Sequence, residues 1–255
     1  RTRIDQRAPQ ALKHRIGLYQ TERDWEKAID NATRYEEVTG EPMGKLIAQF
    51  ECELAERHRA NGELDAARVA IARAYQADAG SVRAGILEGR IEAGAGNPDA
   101  AIRAYERAAR HDPDYLPEFL PSLLACYGEV GDTAGARAFL AEMSEHYRGI
   151  APVLALTGLI EAQEGAQAAR DYLGRQLKDR PSVRGEAALI DLTLAVGADS
   201  TATLHDLKHI TDQLLVRKPS YRCTRCGFGA RTHHWQCPSC KEWGTIKPLL
   251  NYAVV

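Results

Sequence analysis

The chain has 255 residues, a formal net charge of −2 and an ordinary apolar share of 44%, which excludes a disordered, collagen-like or disulfide-dense protein. Its longest uncharged stretch, Gly149 to Ile160, has 12 residues. That is well short of the roughly 18–20 apolar residues of a membrane-spanning helix, and no stretch carries the pattern of a signal peptide. Charge is uneven: Arg217 to Leu250 holds seven basic residues against one acid, Glu242, so this tail stands at +6 and the remainder at −8. An acidic body with a basic tail reads as two modules. The chain begins with Arg1 rather than Met, and a fragment lacking its N-terminal part is expected.

Residues 1–216 are dominated by alanine, leucine, glutamate, arginine and lysine, all strong helix formers, with few of the β-branched and aromatic residues that favour sheets. Five stretches align: Asp24-Trp25-Glu26-Lys27-Ala28, Gly62-Glu63-Leu64-Asp65-Ala66-Ala67, Gly96-Asn97-Pro98-Asp99-Ala100-Ala101, Gly131-Asp132-Thr133-Ala134-Gly135-Ala136, and the shorter Gly165-Ala166-Gln167-Ala168-Ala169. Their key alanines, Ala28, Ala67, Ala101, Ala136 and Ala169, lie 39, 34, 35 and 33 residues apart. A period near 34 with this pattern resembles the tetratricopeptide repeat, two antiparallel helices per unit. The fixed period argues against an irregular helical bundle.

In this reading the glycine sits in the turn between helices, where a positive φ is needed. The alanine lies where the two helices cross closely. Pro113 and Pro181, each 12 residues past its alanine, stop the second helix. The segment from Glu186 to Lys218 is expected to add one more helix pair, with Leu204, Leu207, Ile210, Leu214 and Leu215 as its apolar stripe. Repeat arrays need capped ends. No polar cap is recognisable at the start, so further upstream repeats are expected. The concave face lined by the first helices is the default partner surface. Glu56, Arg83 and Arg90 fall there by repeat position, but the preferred reading of all three is ordinary exposed charge. Cys52 and Cys126 lie within predicted helices and read as small buried apolar residues.

The tail carries two Cys-x-x-Cys pairs, Cys223/Cys226 and Cys237/Cys240, separated by ten residues. Each pair can form a knuckle whose backbone N–H groups point at sulfur, and two knuckles make a tetrahedral four-sulfur site. Two disulfides or free thiols are the alternative, disfavoured because nothing indicates secretion. Four thiolates leave no open coordination position, so the site is structural rather than hydrolytic. The expected cofactor is one structural metal ion, zinc or iron. His233 and His234 are surplus to a complete set and read as loop residues. Both knuckles resemble those of rubredoxin. Lys241 stands where rubredoxins have glycine, and their segment between pairs is much longer, which weakens an electron-transfer role. A ribbon this small needs its metal to fold. Phe228, Trp235, Trp243 and Ile246 are expected to pack partly inside it and partly onto the last helix pair, making the ribbon a cap. The fold expected is an all-α tetratricopeptide-repeat solenoid over 1–218, with a rubredoxin-like or zinc-ribbon metal module over 219–255.

The junction Lys218-Pro219-Ser220-Tyr221-Arg222-Cys223-Thr224-Arg225-Cys226-Gly227-Phe228, with Trp235-Gln236-Cys237-Pro238-Ser239-Cys240 and Trp243-Gly244-Thr245-Ile246-Lys247-Pro248, resembles the lipopolysaccharide assembly protein B family. Tyr19-Gln20, Trp25-Glu26-Lys27-Ala28-Ile29-Asp30 and Cys52-Glu53-Leu54-Ala55 carry the likeness upstream. The resemblance implies a non-enzymatic adaptor at the cytoplasmic face of the inner membrane of Gram-negative bacteria, whose anchor and further repeats precede this chain. It implies work with the membrane protease FtsH to promote degradation of the deacetylase LpxC, opposed by the membrane regulator PbgA/YejM, and Cys223, Cys226, Cys237 and Cys240 as ligands. Self-association is left open. No acid/base pair, phosphate loop or nucleophile motif stands out. Two other readings remain. One is a nucleic-acid-binding ribbon using its basic residues with Tyr221, Trp235 and Trp243 as stacking platforms; the other is an iron redox module.

Overall fold

The computed structural model describes residues 7–197, 204–205, 207–209, 211–212 and 219–249. The chain divides into two compact units, residues 1–112 and 113–255.

The first unit is three helical hairpins: α1 (Arg7–Glu22) with α2 (Trp25–Thr39), α3 (Gly44–Ala60) with α4 (Leu64–Ala77), and α5 (Val82–Gly94) with α6 (Pro98–His111). Neighbouring hairpins pack α2 on α3 and α4 on α5, where Trp25 stacks on Phe50 at 5.6 Å between centroids. Each repeat alanine, Ala28, Ala67 and Ala101, is the fourth residue of its second helix and is fully buried. Gly62 and Gly96 hold the left-handed turn before those helices, at φ of 78° and 76°. The first hairpin lacks this glycine, and Arg23 takes the left-handed place at φ 58°, followed by Asp24, whose carboxylate accepts the Lys27 N–H at 3.2 Å and caps α2.

A tight helix crossing in this unit is made on α5. A Cβ added at Gly89 would stand 2.5 Å from the ring of Tyr105 on α6, and Tyr105 is wholly buried. Gly89→Ala is therefore expected to destabilise the unit by about 1–3 kcal/mol through overpacking, read as a lower urea midpoint with the slope unchanged.

The second unit opens with a 3-10 segment, Pro113–Glu118. Pro113 ends the preceding helix as its missing N–H requires. Then come α7 (Leu120–Val130), α8 (Thr133–His146), α9 (Ala151–Glu164), α10 (Ala166–Asp179) and α11 (Val183–Val196). α7 packs on α8, α8 on α9, α9 on α10 and α10 on α11. Ala136 and Ala169 are again buried fourth residues of second helices. The shorter fifth stretch has a simple cause: Gly165, at φ 91°, is both the turn and the N-cap of α10. Past α11, the described residues of the expected last helix, 204–205, 207–209 and 211–212, are helical. Leu207 is 47% exposed and Thr211 is buried, so Leu207 does not belong to a buried stripe. Ile210, Leu214 and Leu215 lie outside the described residues.

The ribbon is a three-stranded antiparallel sheet of β1 (Tyr221–Cys223), β2 (Gly229–Ala230) and β3 (Ile246–Pro248), in the order β2-β1-β3. Cys223 sits opposite Ile246. Its small core is Cys223, Cys237 and Ile246, with Tyr221, Phe228 and Cys240 packed against it.

Among the described residues the ribbon meets the 3-10 segment; much of the expected last helix pair, on which it was expected to pack, lies outside the described residues. Trp235 stacks on Tyr115 at 5.0 Å, and His233 meets Tyr115 edge-on at 5.5 Å. Tyr115 Oη donates to the Gly244 carbonyl at 3.0 Å, Lys247 Nζ lies 3.9 Å over the Tyr115 ring, and Tyr221 Oη donates to Glu118. The 3-10 turn, with Pro113 and Pro117 on either side of Tyr115, presents this ring to Trp235, His233, Gly244 and Lys247 of the ribbon.

Candidate metal centre

Each Cys-x-x-Cys pair closes as a knuckle. In the first, Gly227 N–H donates to the Cys223 carbonyl at 3.0 Å, with Gly227 at φ 79°. In the second, Lys241 N–H donates to the Cys237 carbonyl at 2.9 Å, with Lys241 at φ 62°. Lys241 thus holds the left-handed conformation that favours glycine. The rubredoxin departure noted in the sequence is a change of residue with no change of turn. β1 and β3 bring the first knuckle under Thr245, and a Cys237 N–H bond to the Glu242 carbonyl at 2.8 Å fixes the second.

The four sulfurs of Cys223, Cys226, Cys237 and Cys240 lie within 4.8 Å of one another. Cys223 and Cys240 are 3.8 Å apart, as are Cys226 and Cys237. A tetrahedron with metal–sulfur bonds of about 2.3 Å has edges of about 3.8 Å, whereas a disulfide would need about 2.05 Å. The donor set therefore fits one four-coordinate metal ion, with either zinc or iron compatible. His233 and His234 are not in the cluster; His233 instead packs between Tyr115, Tyr221 and Trp235.

Electrostatics of the bare thiols support the same reading. The Thr245 hydroxyl, 3.3 Å from the Cys223 sulfur, brings that thiol down to about 6, helped by the N–H groups of Cys226 and Arg225. The Phe228 N–H lowers Cys226. The Glu242 N–H also lowers Cys240, but burial and its three neighbouring sulfurs outweigh that and hold it up at about 11. Four thiolates this close repel one another, and a cation resolves the conflict. With all four sulfurs bound, the ion would organise the ribbon and leave no place for substrate. The remaining cysteines behave as expected: Cys52 on α3 and Cys126 on α7 are buried, and burial pushes the Cys52 thiol up to about 12.

Sequence reasoning missed Thr245, Tyr115, Glu118 and Lys247. The prolines flanking Tyr115 were the one available signal that this stretch is not repeat helix. It also misread Arg83, which is 5% exposed and not a surface charge. From α5 it donates to Glu53 on α3 at 2.7 Å and reaches Gln49 Oε1 at 3.3 Å. Glu56 is half-buried, held below the usual carboxylate range first by its bonds from Arg59 and further by Arg90 and Arg83. These charges form one ion cluster in the first unit.

A helical-repeat protein with a four-cysteine, rubredoxin-like metal site is the class these features define. A family model described as a rubredoxin metal binding domain matches residues 221–248. Lipopolysaccharide assembly protein B of Escherichia coli K12 is 36% identical over 94% of this chain and 62% of its own length. The protein of the same name from Haemophilus influenzae is 28% identical over 96% of this chain and 62% of its length. Over this span the chain belongs to the lipopolysaccharide assembly protein B family, and it covers somewhat under two thirds of those relatives. Among solved structures, that of Pseudomonas aeruginosa pilF aligns at a TM-score of 0.45 and 16% identity, over 83% of this chain and 91% of that one. Among the described residues no helix is long and apolar enough to cross a membrane.

Proposed function

We propose that this chain is part of a non-enzymatic adaptor that regulates lipopolysaccharide synthesis at the cytoplasmic face of the inner membrane. It brings the membrane protease FtsH to the deacetylase LpxC and so promotes its degradation, with PbgA/YejM opposing it. The observation that carries this reading is the 36% identity to a lipopolysaccharide assembly protein along 94% of the chain, helices and ribbon alike. A metal module seated on a turn of the helical body suits a scaffold, since it stiffens a surface without needing an open ligand position.

The nucleic-acid reading is weakened by the ribbon's own contacts. Trp235 is stacked on Tyr115 and the Tyr221 hydroxyl is bonded to Glu118, so two of the three proposed stacking platforms are engaged, and Arg225 is paired with Glu242.

The test is capture from bacterial membrane extract on immobilised chain. FtsH and LpxC are expected to be retained by the wild type and lost, or reduced at least several-fold, with Cys223→Ser/Cys226→Ser. Retention of neither by the wild type would sink the adaptor role. Equal retention of both by the metal-free variant would remove the ribbon from it.

A further inference from the structure

A cleft of about 300 Å³ lies between the ribbon and the helices of the second unit, apart from the four sulfurs. Its walls are apolar, with Pro117, Pro121 and Pro248 beside Leu120 and Leu154. Two donors face this apolar space. Tyr147 is 3% exposed and lines the cleft, yet its hydroxyl has no hydrogen-bond partner among the described residues. The hydroxyl is not among the atoms sealed from solvent without a partner, so it is reached from the cleft and is available to donate to what enters. Its placement is not loose: a side chain at Gly149 would collide with the Tyr147 ring. Burial also pushes this phenol above its usual range, so near neutrality it donates a hydrogen bond.

The second donor is Arg184, on the same cleft, exposed and without an ion pair among the described residues. The nearby acids are already engaged, Glu118 by the Tyr221 hydroxyl and Asp114 by Lys247 at 3.7 Å. The first turns of α9 and α11 meet the rim at Ala151 and Ser182, and helix N-termini favour negative charge. The volume sits at the lower bound of ligand pockets, which run from roughly 300 to 1,000 Å³. That is room for one or two side chains and too little for a long acyl chain or a cofactor.

We propose that this cleft binds the C-terminal end of an apolar peptide, with the Tyr147 hydroxyl and the Arg184 guanidinium donating to the terminal carboxylate and the prolines and leucines receiving the last side chain. This does not depend on the adaptor role.

The test is titration of the intact chain with N-acetyl-alanyl-leucine, followed by amide NMR and calorimetry. Saturable shifts are expected at Gly149, Arg184 and Leu249. The C-terminal amide of the same dipeptide is expected to bind about tenfold more weakly, because a charge-assisted bond becomes a neutral one. Tyr147→Phe removes a hydroxyl with no partner, so it should leave stability unchanged or raised while weakening the free acid several-fold; Arg184→Gln should do likewise. The proposal is overturned if the acid does not bind at millimolar concentration, if acid and amide bind alike, or if neither substitution matters. Hexanoate binding as tightly as the dipeptide acid would also overturn it, assigning the cleft to small organic acids.

Discussion

Removing the metal, by chelation or by Cys237→Ser, is expected to unfold residues 221–248 while the hairpins α1 to α6 keep their amide protection. The ribbon buries only Cys223, Cys237 and Ile246 at its centre, and two of those three are ligands. Structural zinc supplies on the order of 10–16 kcal/mol of binding energy in small metal modules, far more than so small a core can replace. Without the cation, four sulfurs within 4.8 Å of one another resist ionising together, because each thiolate disfavours the next. The loss should spread to a defined place: Tyr115 would lose the Trp235 ring, the Gly244 carbonyl and the Lys247 ammonium together. Hydrogen exchange should therefore rise over residues 221–248 and over 113–118, with a red shift in tryptophan emission as Trp235 meets water. Unchanged protection over 221–248 in metal-free protein would show that the apolar core suffices. A rise confined to the ribbon would show that its seat on Tyr115 carries little energy.

That prediction names Pro113–Glu118, a seat that the repeat pattern does not announce. The helical hairpins were legible because a local rule repeats: small residue at the crossing, left-handed residue in the turn, cap, helix. Gly62, Gly96 and Gly131 obey it directly. The rule bends where other residues satisfy the same backbone need, as Arg23 does in place of a glycine and Gly165 does in serving two positions. The four sulfurs were legible for a related reason, since each knuckle is built within a few residues. Which surface the ribbon sits on is different. It depends on Tyr115 and Trp235, 120 residues apart, and no periodicity connects them. Exposure of charged side chains was equally illegible, because repeat position gives a direction and not what a neighbouring helix places there.

Arg83 is the sharpest instance, and Arg83→Met is expected to destabilise the first unit by about 2–4 kcal/mol. Breaking a buried ion pair by removing one partner costs roughly 3–5 kcal/mol, and the exposure of Glu53, whose side chain is 28% accessible, lets water return part of that. Methionine keeps most of the apolar stem that Arg83 packs between hairpins, so the loss isolates charge and hydrogen bonding from volume. Arg83 joins α5 to α3 across 30 residues, which makes it a link between repeats and not within one. The double variant Arg83→Met/Glu53→Leu is expected to regain much of the stability, since neither charge is then left alone. Urea unfolding of the four members of this cycle measures the coupling. A single substitution costing under about 0.5 kcal/mol, the scale of an ordinary surface site, would return Arg83 to the exposed charge its repeat position suggested. A double variant no more stable than Arg83→Met would show that the pair with Glu53 is not what holds α5 against α3.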